Sequence, residues 1–393
     1  MSKNPIERLM KTNPDLEVWW DSSPVVFESW VQMMIEKALP EDKEKLEMQL
    51  RKLYNAEAPE KSLFRGCTTN PPLSWQAVQS DPDLWGAYVD QLISKNPDLD
   101  NQEIAWLTYK EVVSRGAKYY MPIYESSRRR FGWISAQLNP RLFTETEQMV
   151  RDADELKAIS PNVMIKVPAS TEGVEVVKIL TSKGISTNTT TCFTLPQIKA
   201  VADAAMEGIE IAKKNGKDMS NWRAVITMMI GRLTENPVLD QQAERRGIHL
   251  TWQEKHWWGI GVFKRAYRMI KEGGYASKML ACSVRQGPLV AGKSRFWDIE
   301  FLAGGEIVYT LPPYALEPLF DTGDIRFHNR IEEEIPSAVW DKMMKIPYVI
   351  QASDPNGMEI DQFNTHPATV ATVESFSKAF TGLEGFVQQR MNS

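Results

Sequence analysis

The sequence of 393 residues contains few cysteines, few histidines and no long apolar run. Its three cysteines, Cys67, Cys192 and Cys282, are far apart and form no CxxC pair, which excludes a disulfide framework and a cysteine-bound zinc site. No stretch approaches the roughly 18 apolar residues of a membrane span, and the first residues lack the apolar core of an export signal. We therefore expect a protein of the cytoplasm that does not contact membranes.

Positive charge is not in excess either. The formal net charge is −5 at pH 7 and the pI is about 5.7, whereas a protein that binds nucleic acid or an anionic membrane needs a basic face. Neither is expected as the main partner, although locally grouped arginines are compatible with a small anionic ligand. The remaining composition, 42% hydrophobic and 25% charged, is that of a globular chain long enough to bury a large core.

Motifs for metals and nucleotide cofactors are also missing. The four histidines, His249, His256, His328 and His366, do not have the spacing of metal ligands. Neither a P-loop nor the glycine fingerprint of dinucleotide binding occurs. The sequence therefore predicts no metal and no cofactor.

What the sequence does contain is an alternation of short apolar runs with longer helical stretches. Eight runs end in small polar residues: LEVWWDSS (16–23), LFRGCTTNPP (63–72), FGWISAQLNP (131–140), VMIKVPAS (163–170), ISTNTTTCF (185–193), RAVITMMIGR (223–232), KMLACSVRQ (278–286) and GEIVYTLPP (305–313). Strands that alternate with helices pair in parallel. Eight units favour a closed (β/α)₈ TIM barrel, with an open doubly wound sheet as the alternative that spacing alone does not exclude. No linker or repeat divides the chain, so residues 1–393 are predicted to form a single domain.

The stretch at 22–62 holds two helical patterns directly after the first strand. In a barrel the carboxyl ends of all strands meet at one mouth, where barrel enzymes carry out their chemistry. This helical insertion is therefore expected on the catalytic face, as a lid or as an interface. Whether the chain forms a homo-oligomer is left open by the sequence.

Lys166 lies in the middle of the apolar run NVMIKVPAS, where a charged ammonium group is costly to bury. On an edge strand its stem would pack and its head would reach water. In a barrel, Met164, Lys166 and Pro168 share one face of the strand while Ile165 and Val167 share the other. A lysine inside the barrel has a lowered pKa, so that its neutral amine is available to attack a carbonyl. That is the requirement of a Schiff-base enzyme.

Polar residues close several other strands. Asp21 ends the first strand, either as an N-cap of the following helix or as a general acid–base that exchanges a substrate hydroxyl proton near the lysine. The motifs TTNPP (68–72) and TNTTT (187–191) are typical of caps and turns. They also offer donors and acceptors for a polyhydroxylated ligand at the strand ends.

Two arginines, Arg232 and Arg285, each lie just past an apolar run. Either one alone is most often a solvated surface residue, but together they form a forked cationic site for a phosphate or another oxyanion. By contrast, Arg128, Arg129 and Arg130 precede the third strand. A barrel places this run at the mouth opposite the chemistry, and we expect it to be a solvated surface.

Taken together, the strand ends resemble the transaldolase family of class I aldolases. TTNPP resembles the second strand of that family, IKVPASTEGVEVVKILTSKGISTNTTTCFTLPQ resembles its lysine strand through the next strand, and GRL and CSVRQ resemble its later strands. The similarity extends over residues 15–315, and TVESFSKAFTGLEGF is similar to the closing C-terminal helix of the family. The resemblance implies a Schiff-base barrel enzyme that transfers a dihydroxyacetone unit from a ketose phosphate to an aldose, with a small sugar phosphate as its partner.

Position by position, the resemblance implies roles for these residues. It makes Lys166 the Schiff-base nucleophile, and it makes Asp21 the residue that exchanges a proton with the C4 hydroxyl of the substrate. Thr190 matches a threonine that helps to hold a catalytic water. The residues implied around the sugar hydroxyls are Thr68, Asn70, Asn188 and Thr227, and those implied around the terminal phosphate are Arg232, Ser283 and Arg285.

Two positions depart from the family pattern. Gln137 stands where typical transaldolases carry a glutamate that transfers protons with the bound water, and a glutamine can orient water but cannot take its proton. Fructose-6-phosphate aldolases also have a glutamine there, but they pair it with a tyrosine where this chain has Met229, whose thioether offers no hydroxyl. The sequence therefore leaves three functions open: transfer, simple aldol cleavage of fructose 6-phosphate or of an unusual or sulfonated sugar, and sugar-phosphate binding without catalysis.

Overall fold

The computed structural model describes residues 4–290, 292–321 and 325–392, and its centre is a closed barrel of eight parallel strands. In chain order the strands are β1 (Glu17–Asp21), β2 (Phe64–Thr68), β3 (Trp133–Gln137), β4 (Val163–Pro168), β5 (Thr187–Cys192), β6 (Ala224–Met229), β7 (Ser277–Cys282), the antiparallel pair β8 (Leu289–Val290) and β9 (Lys293–Ser294), and β10 (Val308–Leu311). Around the barrel, β1 to β7 follow one another and β10 closes the ring between β7 and β1. Each predicted run overlaps one barrel strand, which confirms the (β/α)₈ barrel and excludes the open sheet. The small pair β8–β9 was not predicted.

Helices lie between the strands and follow the last of them. They are α1 (Pro5–Met10), α2 (Phe27–Lys37), α3 (Lys43–Arg51), α4 (Pro71–Ser80), α5 (Pro82–Lys95), α6 (Asn101–Ser126), α7 (Thr146–Ile159), α8 (Thr171–Ser182), α9 (Leu195–Lys214), α10 (Ile230–Thr234), α11 (Pro237–Glu244), α12 (Trp252–Glu272), α13 (Trp297–Glu300), α14 (Pro313–Asp321), α15 (Ser337–Met343), α16 (Pro347–Ser353) and α17 (Pro367–Met391). Short 3₁₀ helices occur at Pro24–Val26, Pro59–Lys61, Pro140–Leu142 and Ile360–Thr365. The two helical patterns predicted within 22–62 are α2 and α3, and α17 contains the predicted closing helix.

The alternation of side chains along β1 determines which residues face the barrel interior. Trp20 points outward, where its ring lies 5.5 Å from that of Phe27 and 5.7 Å from that of Phe64. Trp19 points inward, against Gly66 of β2, where an added Cβ would lie only 2.7 Å from the Trp19 ring. A glycine is therefore required there, and Asp21, two residues after Trp19, is on the inward face.

Side-chain caps fix where helices begin at the carboxyl end of the barrel. Asn70 accepts a hydrogen bond from the Leu73 amide at 2.9 Å at the start of α4, and Ser170 accepts one from the Gly173 amide at 2.9 Å at the start of α8. Because N-caps satisfy amides that the first helical turn leaves unpaired, these helices start within a few residues of their strands. The loops after β2 and β4 are consequently short.

The C-terminal helix α17 packs across the outside of the barrel and reaches its carboxyl end. Arg141, in the 3₁₀ helix after β3, forms a bidentate ion pair with the buried carboxylate of Glu384 in α17. The helical insertion at 22–62 packs against α6, where the Tyr54 ring is stacked on that of Tyr119 at 4.1 Å. Its position on the catalytic face stays a prediction. Within the described ranges, no helix combines the length and the apolarity needed to cross a bilayer.

Candidate active site

A cavity of about 660 Å³ opens at the carboxyl-terminal mouth of the barrel. Asp21 of β1, Met229 of β6 and Cys282 of β7 contribute to its wall, and Phe376 of α17 contributes from outside the barrel. We call it the carboxyl-end cavity. Its walls thus come from strands that are distant in sequence and from the C-terminal helix.

Lys166 is buried inside the barrel beside this cavity, with only 2% of its surface exposed. It pairs in register with Gln137 of β3 on one side and with Asn188 of β5 on the other, so the three side chains form one row on the inward face. Its Nζ donates a hydrogen bond to the carbonyl oxygen of Thr69 at 3.2 Å. This is an interior lysine, not the edge-strand lysine of the alternative interpretation.

Burial acts in opposite directions on Lys166 and Asp21. Removal from water lowers the pKa of Lys166 below its ordinary value. The nearby Cys282 and Asp21 would raise that pKa, but burial outweighs them. Removal from water also raises the pKa of Asp21, although the charge of Lys166 and two threonine hydroxyls partly offset this. Both groups are therefore shifted toward their neutral forms.

Two threonines hold the Asp21 carboxylate. The Thr68 hydroxyl donates to Asp21 Oδ1 at 2.7 Å and is itself in hydrogen-bond contact with the Thr310 hydroxyl. The following 3₁₀ helix and α2 have Ser23 and Val26 at their N-cap positions. Asp21 is therefore not a helix cap, and its carboxylate is oriented toward the barrel interior and the cavity.

The Asn188 side chain is fixed by neighbouring hydroxyls. Its Nδ2 donates to Ser135 Oγ at 2.9 Å, and its Oδ1 accepts from the Thr227 hydroxyl at 2.6 Å. The buried Gln137 differs, because its Oε1 has no hydrogen-bond partner among the described residues. An unpaired buried acceptor is unfavourable by about 1–3 kcal/mol unless a water or a ligand satisfies it. Gln137 therefore offers a free acceptor next to Lys166.

Met229, which stands where fructose-6-phosphate aldolases carry a tyrosine, contacts Thr190. The Met229 sulfur lies 3.9 Å from the Thr190 hydroxyl, and both side chains are buried. A thioether is only a weak acceptor, so it leaves the Thr190 hydroxyl largely available. Thr190 can still hold a water at this end of β5.

The two predicted anion-binding arginines differ in their partners. Arg285 is paired with Glu235. The Glu235 Oε2 accepts a hydrogen bond from Arg285 Nε at 2.8 Å and lies 2.7 Å from Arg285 Nη2. The Nη1 of Arg285 donates to both the carbonyl oxygen and the hydroxyl of Ser283. Burial alone would lower the pKa of Arg285, but the pairing with Glu235 outweighs it and raises that pKa. Arg232 lines the same cavity with its guanidinium 5.3 Å from the ring centre of Phe376.

Among the described residues, Arg232 forms no ion pair with a carboxylate within 4 Å. Its closest polar contact is the Ser375 hydroxyl at 3.5 Å, and burial lowers its pKa. A partly desolvated guanidinium with unused donors is well suited to an oxyanion. Arg232 is therefore the principal uncompensated cation of the carboxyl-end cavity.

The backbone at this end of the cavity is tightly constrained. Ser283 has a φ of 58°, in the left-handed region, and its carbonyl oxygen accepts from the Gly231 amide at 3.0 Å. A Cβ added at Gly231 would lie 2.3 Å from that same oxygen. The absence of a side chain at Gly231 thus lets the start of α10 approach β7, which brings Arg232 and Ser283 together.

The structure brings the predicted site residues to one end of one barrel, in two groups. Six line the carboxyl-end cavity, namely Asp21, Asn70, Met229, Arg232, Ser283 and Arg285. The other six are buried in the strands, namely Lys166, Gln137, Thr190, Thr68, Asn188 and Thr227. Their geometry is compatible with the predicted roles, which remain predictions.

Sequence reasoning missed four residues of this region. Thr310 completes the hydroxyl pair beside Asp21, Glu235 pairs with Arg285, Cys282 lies 4.0 Å from Asp21 Oδ2, and Phe376 packs beside Arg232. Thr310 and Cys282 could have been found, because each occupies an inward position near the carboxyl end of a predicted strand. Glu235 and Phe376 carry no local signal.

Comparison with known proteins agrees with this geometry. Residues 45–387 match the family model described as transaldolase/fructose-6-phosphate aldolase. The chain belongs to this family. Family membership confirms the resemblance predicted from the sequence and, with it, the prediction of a transaldolase-like enzyme.

Individual relatives are similar over about two thirds of the chain. A transaldolase of Mycolicibacterium smegmatis is 29% identical over 273 residues, which are 66% of this chain and 72% of the relative. A transaldolase of an Arthrobacter species is 28% identical over 272 residues, and transaldolase 2 of Streptomyces avermitilis is 27% identical over 274, with the same two coverages.

Proposed function

We propose that this protein transfers a dihydroxyacetone unit from a ketose phosphate to an aldose acceptor through a Schiff base on Lys166. The observation that carries the proposal is the burial of Lys166 inside the barrel, next to a cavity that also holds Asp21 and the uncompensated Arg232. A lowered lysine pKa provides the neutral amine that imine formation requires. Family membership adds independent support.

In the first half-reaction, the neutral Lys166 Nζ adds to the C2 carbonyl of the ketose phosphate. The carbinolamine loses water and becomes an iminium, which is an electron sink. The Asp21 carboxylate then takes the proton of the C4 hydroxyl, the C3–C4 bond breaks, and its electron pair moves into the iminium to form an enamine. The aldose phosphate leaves with C4 as its new carbonyl carbon.

In the second half-reaction, the enamine carbon attacks the carbonyl of the acceptor aldose. A new carbon–carbon bond forms, the acceptor oxygen takes the proton from Asp21, and the iminium is restored. Water then adds to the iminium and releases the product ketose together with the free amine. The raised pKa of Asp21 suits it to this exchange, since a general acid–base works best when its pKa approaches the working pH.

The phosphate end of the substrate fits the arginine side of the cavity. Arg232 supplies a guanidinium without a carboxylate partner among the described residues. Ser283 lines the same cavity, and its hydroxyl accepts a hydrogen bond from Arg285 Nη1. We propose that these groups bind the terminal phosphate. The deeper hydroxyl and amide groups of Thr68, Asn188 and Thr227 then keep the reacting groups in place.

The activity is tested by incubating the protein with fructose 6-phosphate, with and without erythrose 4-phosphate, and identifying the products by mass spectrometry. Transfer predicts a seven-carbon ketose phosphate that requires both substrates and is lost in Lys166→Ala. No product with either substrate set, together with measurable binding of fructose 6-phosphate, would instead indicate a non-catalytic sugar-phosphate-binding protein. A panel of other ketoses, including sulfonated ones, identifies a different donor.

Simple aldol cleavage is the second candidate, and the Oε1 of Gln137, which has no hydrogen-bond partner among the residues that the structure describes, favours it. An amide can hold a water beside Lys166 without taking its proton. In cleavage, the proton that Asp21 took from the C4 hydroxyl returns to the enamine carbon and restores the iminium, and the held water then hydrolyses the iminium to free lysine and dihydroxyacetone. Dihydroxyacetone released without an acceptor would support cleavage. Gln137→Glu introduces the missing carboxylate and should shift the ratio of products toward transfer; an unchanged ratio would mean that this position does not decide the outcome.

A further inference from the structure

A second cavity, of about 560 Å³, opens at the opposite, amino-terminal mouth of the barrel. Its wall includes Glu17 at the start of β1, Ala224 at the start of β6 and Ser277 at the start of β7. We call it the amino-end cavity. Its volume is within the range of small-molecule sites, and none of the proposed chemistry uses it.

The charge of this cavity is opposite to that of the protein. Its lining contains six lysines and arginines but only three carboxylates, although the chain as a whole carries a formal net charge of −5. Arg223 and Lys278 share the single buried carboxylate of Glu17, at 2.6 Å and 2.9 Å. One of these two cationic charges is therefore uncompensated within the cavity wall.

The arginine run at 128–130, before β3, lies at this mouth, and Arg130 holds it in place. The Arg130 guanidinium pairs with Asp15 at 2.7 Å, while the Arg130 carbonyl oxygen accepts from Arg223 Nη1 at 3.0 Å. These two bonds tie the turn to the segment before β1 and to the start of β6. Arg130 is therefore a positioning residue.

The other two arginines of the run are exposed at the rim of the cavity, as expected from the sequence. Arg128 and Arg129 have φ angles of 53° and 69°, in the left-handed region, which residues other than glycine rarely adopt. Both side chains line the cavity, and neither forms a side-chain hydrogen bond or an ion pair within 4 Å with any residue that the structure describes, although the Asp218 carboxylate interacts electrostatically with Arg129. The fold thus holds two adjacent guanidinium groups at a cationic cavity in a backbone conformation that arginine disfavours.

We propose that the amino-end cavity is a binding site for a small oligophosphate, with Arg128 and Arg129 as its principal ligands and Arg223 as a third cationic contact. Guanidinium groups bind phosphate oxygens in a bidentate manner. Two guanidinium groups that form no ion pair within 4 Å among the described residues, together with one cation that shares its carboxylate, match the several negative charges of a phosphoanhydride chain. Inorganic pyrophosphate and the phosphate chain of a nucleotide both present this chemistry.

The test is isothermal titration calorimetry of the full chain with pyrophosphate and, separately, with ATP, both at fixed physiological ionic strength. Arg128→Asn combined with Arg129→Asn removes both charges but keeps a residue that tolerates a positive φ. This variant should weaken binding by about tenfold or more, because it removes the charge-assisted hydrogen bonds of both guanidinium groups to the phosphate oxygens. Arg128→Lys combined with Arg129→Lys should retain most of the binding.

Two control variants separate this site from others. Arg245→Ala combined with Arg246→Ala removes an exposed arginine pair outside the cavity and should leave the affinity unchanged. Arg232→Ala removes the free cation of the carboxyl-end cavity and should also leave it unchanged. Loss of binding in Arg232→Ala, unchanged binding in the Asn variant, or no binding of either anion at millimolar concentration would each overturn the proposal. Equal affinities for pyrophosphate and ATP would mean that the site binds the phosphate chain alone. A higher affinity for ATP would mean that the site also contacts the nucleoside.

Discussion

Replacing Arg232 by alanine removes the one guanidinium group in the carboxyl-end cavity that has no carboxylate partner among the described residues. Arg285, the other arginine of the cavity, is already compensated by Glu235 at 2.7 Å. The favourable interaction with a doubly or singly charged phosphate therefore depends mainly on Arg232. Its removal should affect a phosphorylated substrate far more than an unphosphorylated one.

The size of the effect follows from the geometry. Arg232 is partly desolvated, and its nearest polar contact is a weak one to Ser375 at 3.5 Å. A phosphate would thus gain at least one charge-assisted hydrogen bond, and the effect of a single bond, about 1.5–3 kcal/mol, sets the expected size. At about 1.4 kcal/mol for each factor of ten, the expected loss in kcat/KM is about 10-fold to about 150-fold.

The assay compares kcat/KM for fructose 6-phosphate with kcat/KM for fructose in the wild-type chain and in Arg232→Ala. The loss should appear with the phosphorylated ketose and be nearly absent with fructose, while Arg245→Ala, an exposed arginine outside the cavity, should change neither value. An equal loss with both ketoses would mean that Arg232 acts through the fold or the reacting carbon. No loss with either would refute its role in binding the phosphate.

Two further predictions concern the proton-transfer residues and the backbone at the cavity. The rate should rise with pH as Asp21 and Lys166 lose their protons, the Asp21 limb above the ordinary range of an aspartate and the Lys166 limb below that of a lysine, because burial raises the pKa of Asp21 and lowers that of Lys166. Thr68→Val removes a hydrogen bond that holds the pKa of Asp21 down, so the acidic limb of the rate profile should move to higher pH; an unmoved limb would exclude Asp21 as its source. Gly231→Ala should destabilise the fold by about 1–3 kcal/mol in chemical denaturation, since its Cβ would lie 2.3 Å from a backbone oxygen, whereas Gly385→Ala, which meets open space in α17, should not; equal stabilities of the two variants would contradict this.

The barrel strands could be predicted because they are buried on both faces. A strand of this kind is a short apolar run whatever the topology around it, and VMIKVP is such a run with a single charged residue. That one departure from the pattern identified Lys166. Inward and outward alternation then gave the correct face for the lysine, as the shared register with Gln137 and Asn188 shows.

Pairings that depend on closure of the barrel could not be predicted in the same way. Thr68 and Thr310 are 242 positions apart, and their hydroxyls meet only because β2 and β10 flank β1 on its two sides. Glu235 lies between two short helices, where a carboxylate is ordinary, and its pairing with Arg285 depends on the fold. Phe376 belongs to a helix whose amphipathic pattern does not indicate which cavity it reaches.

The central claim is that Lys166 forms the Schiff base, and reductive trapping tests it most directly. The intact mass is measured after borohydride reduction in the presence of fructose 6-phosphate, for the wild-type chain, Lys166→Ala and Lys157→Ala. Lys157 is a matched control, because burial lowers its pKa to about 8 while its Nζ bonds the backbone at the start of the same strand, away from the cavity. The proposal predicts an adduct of dihydroxyacetone size on the wild-type chain and on Lys157→Ala, and none on Lys166→Ala. An adduct that persists without Lys166 would contradict it.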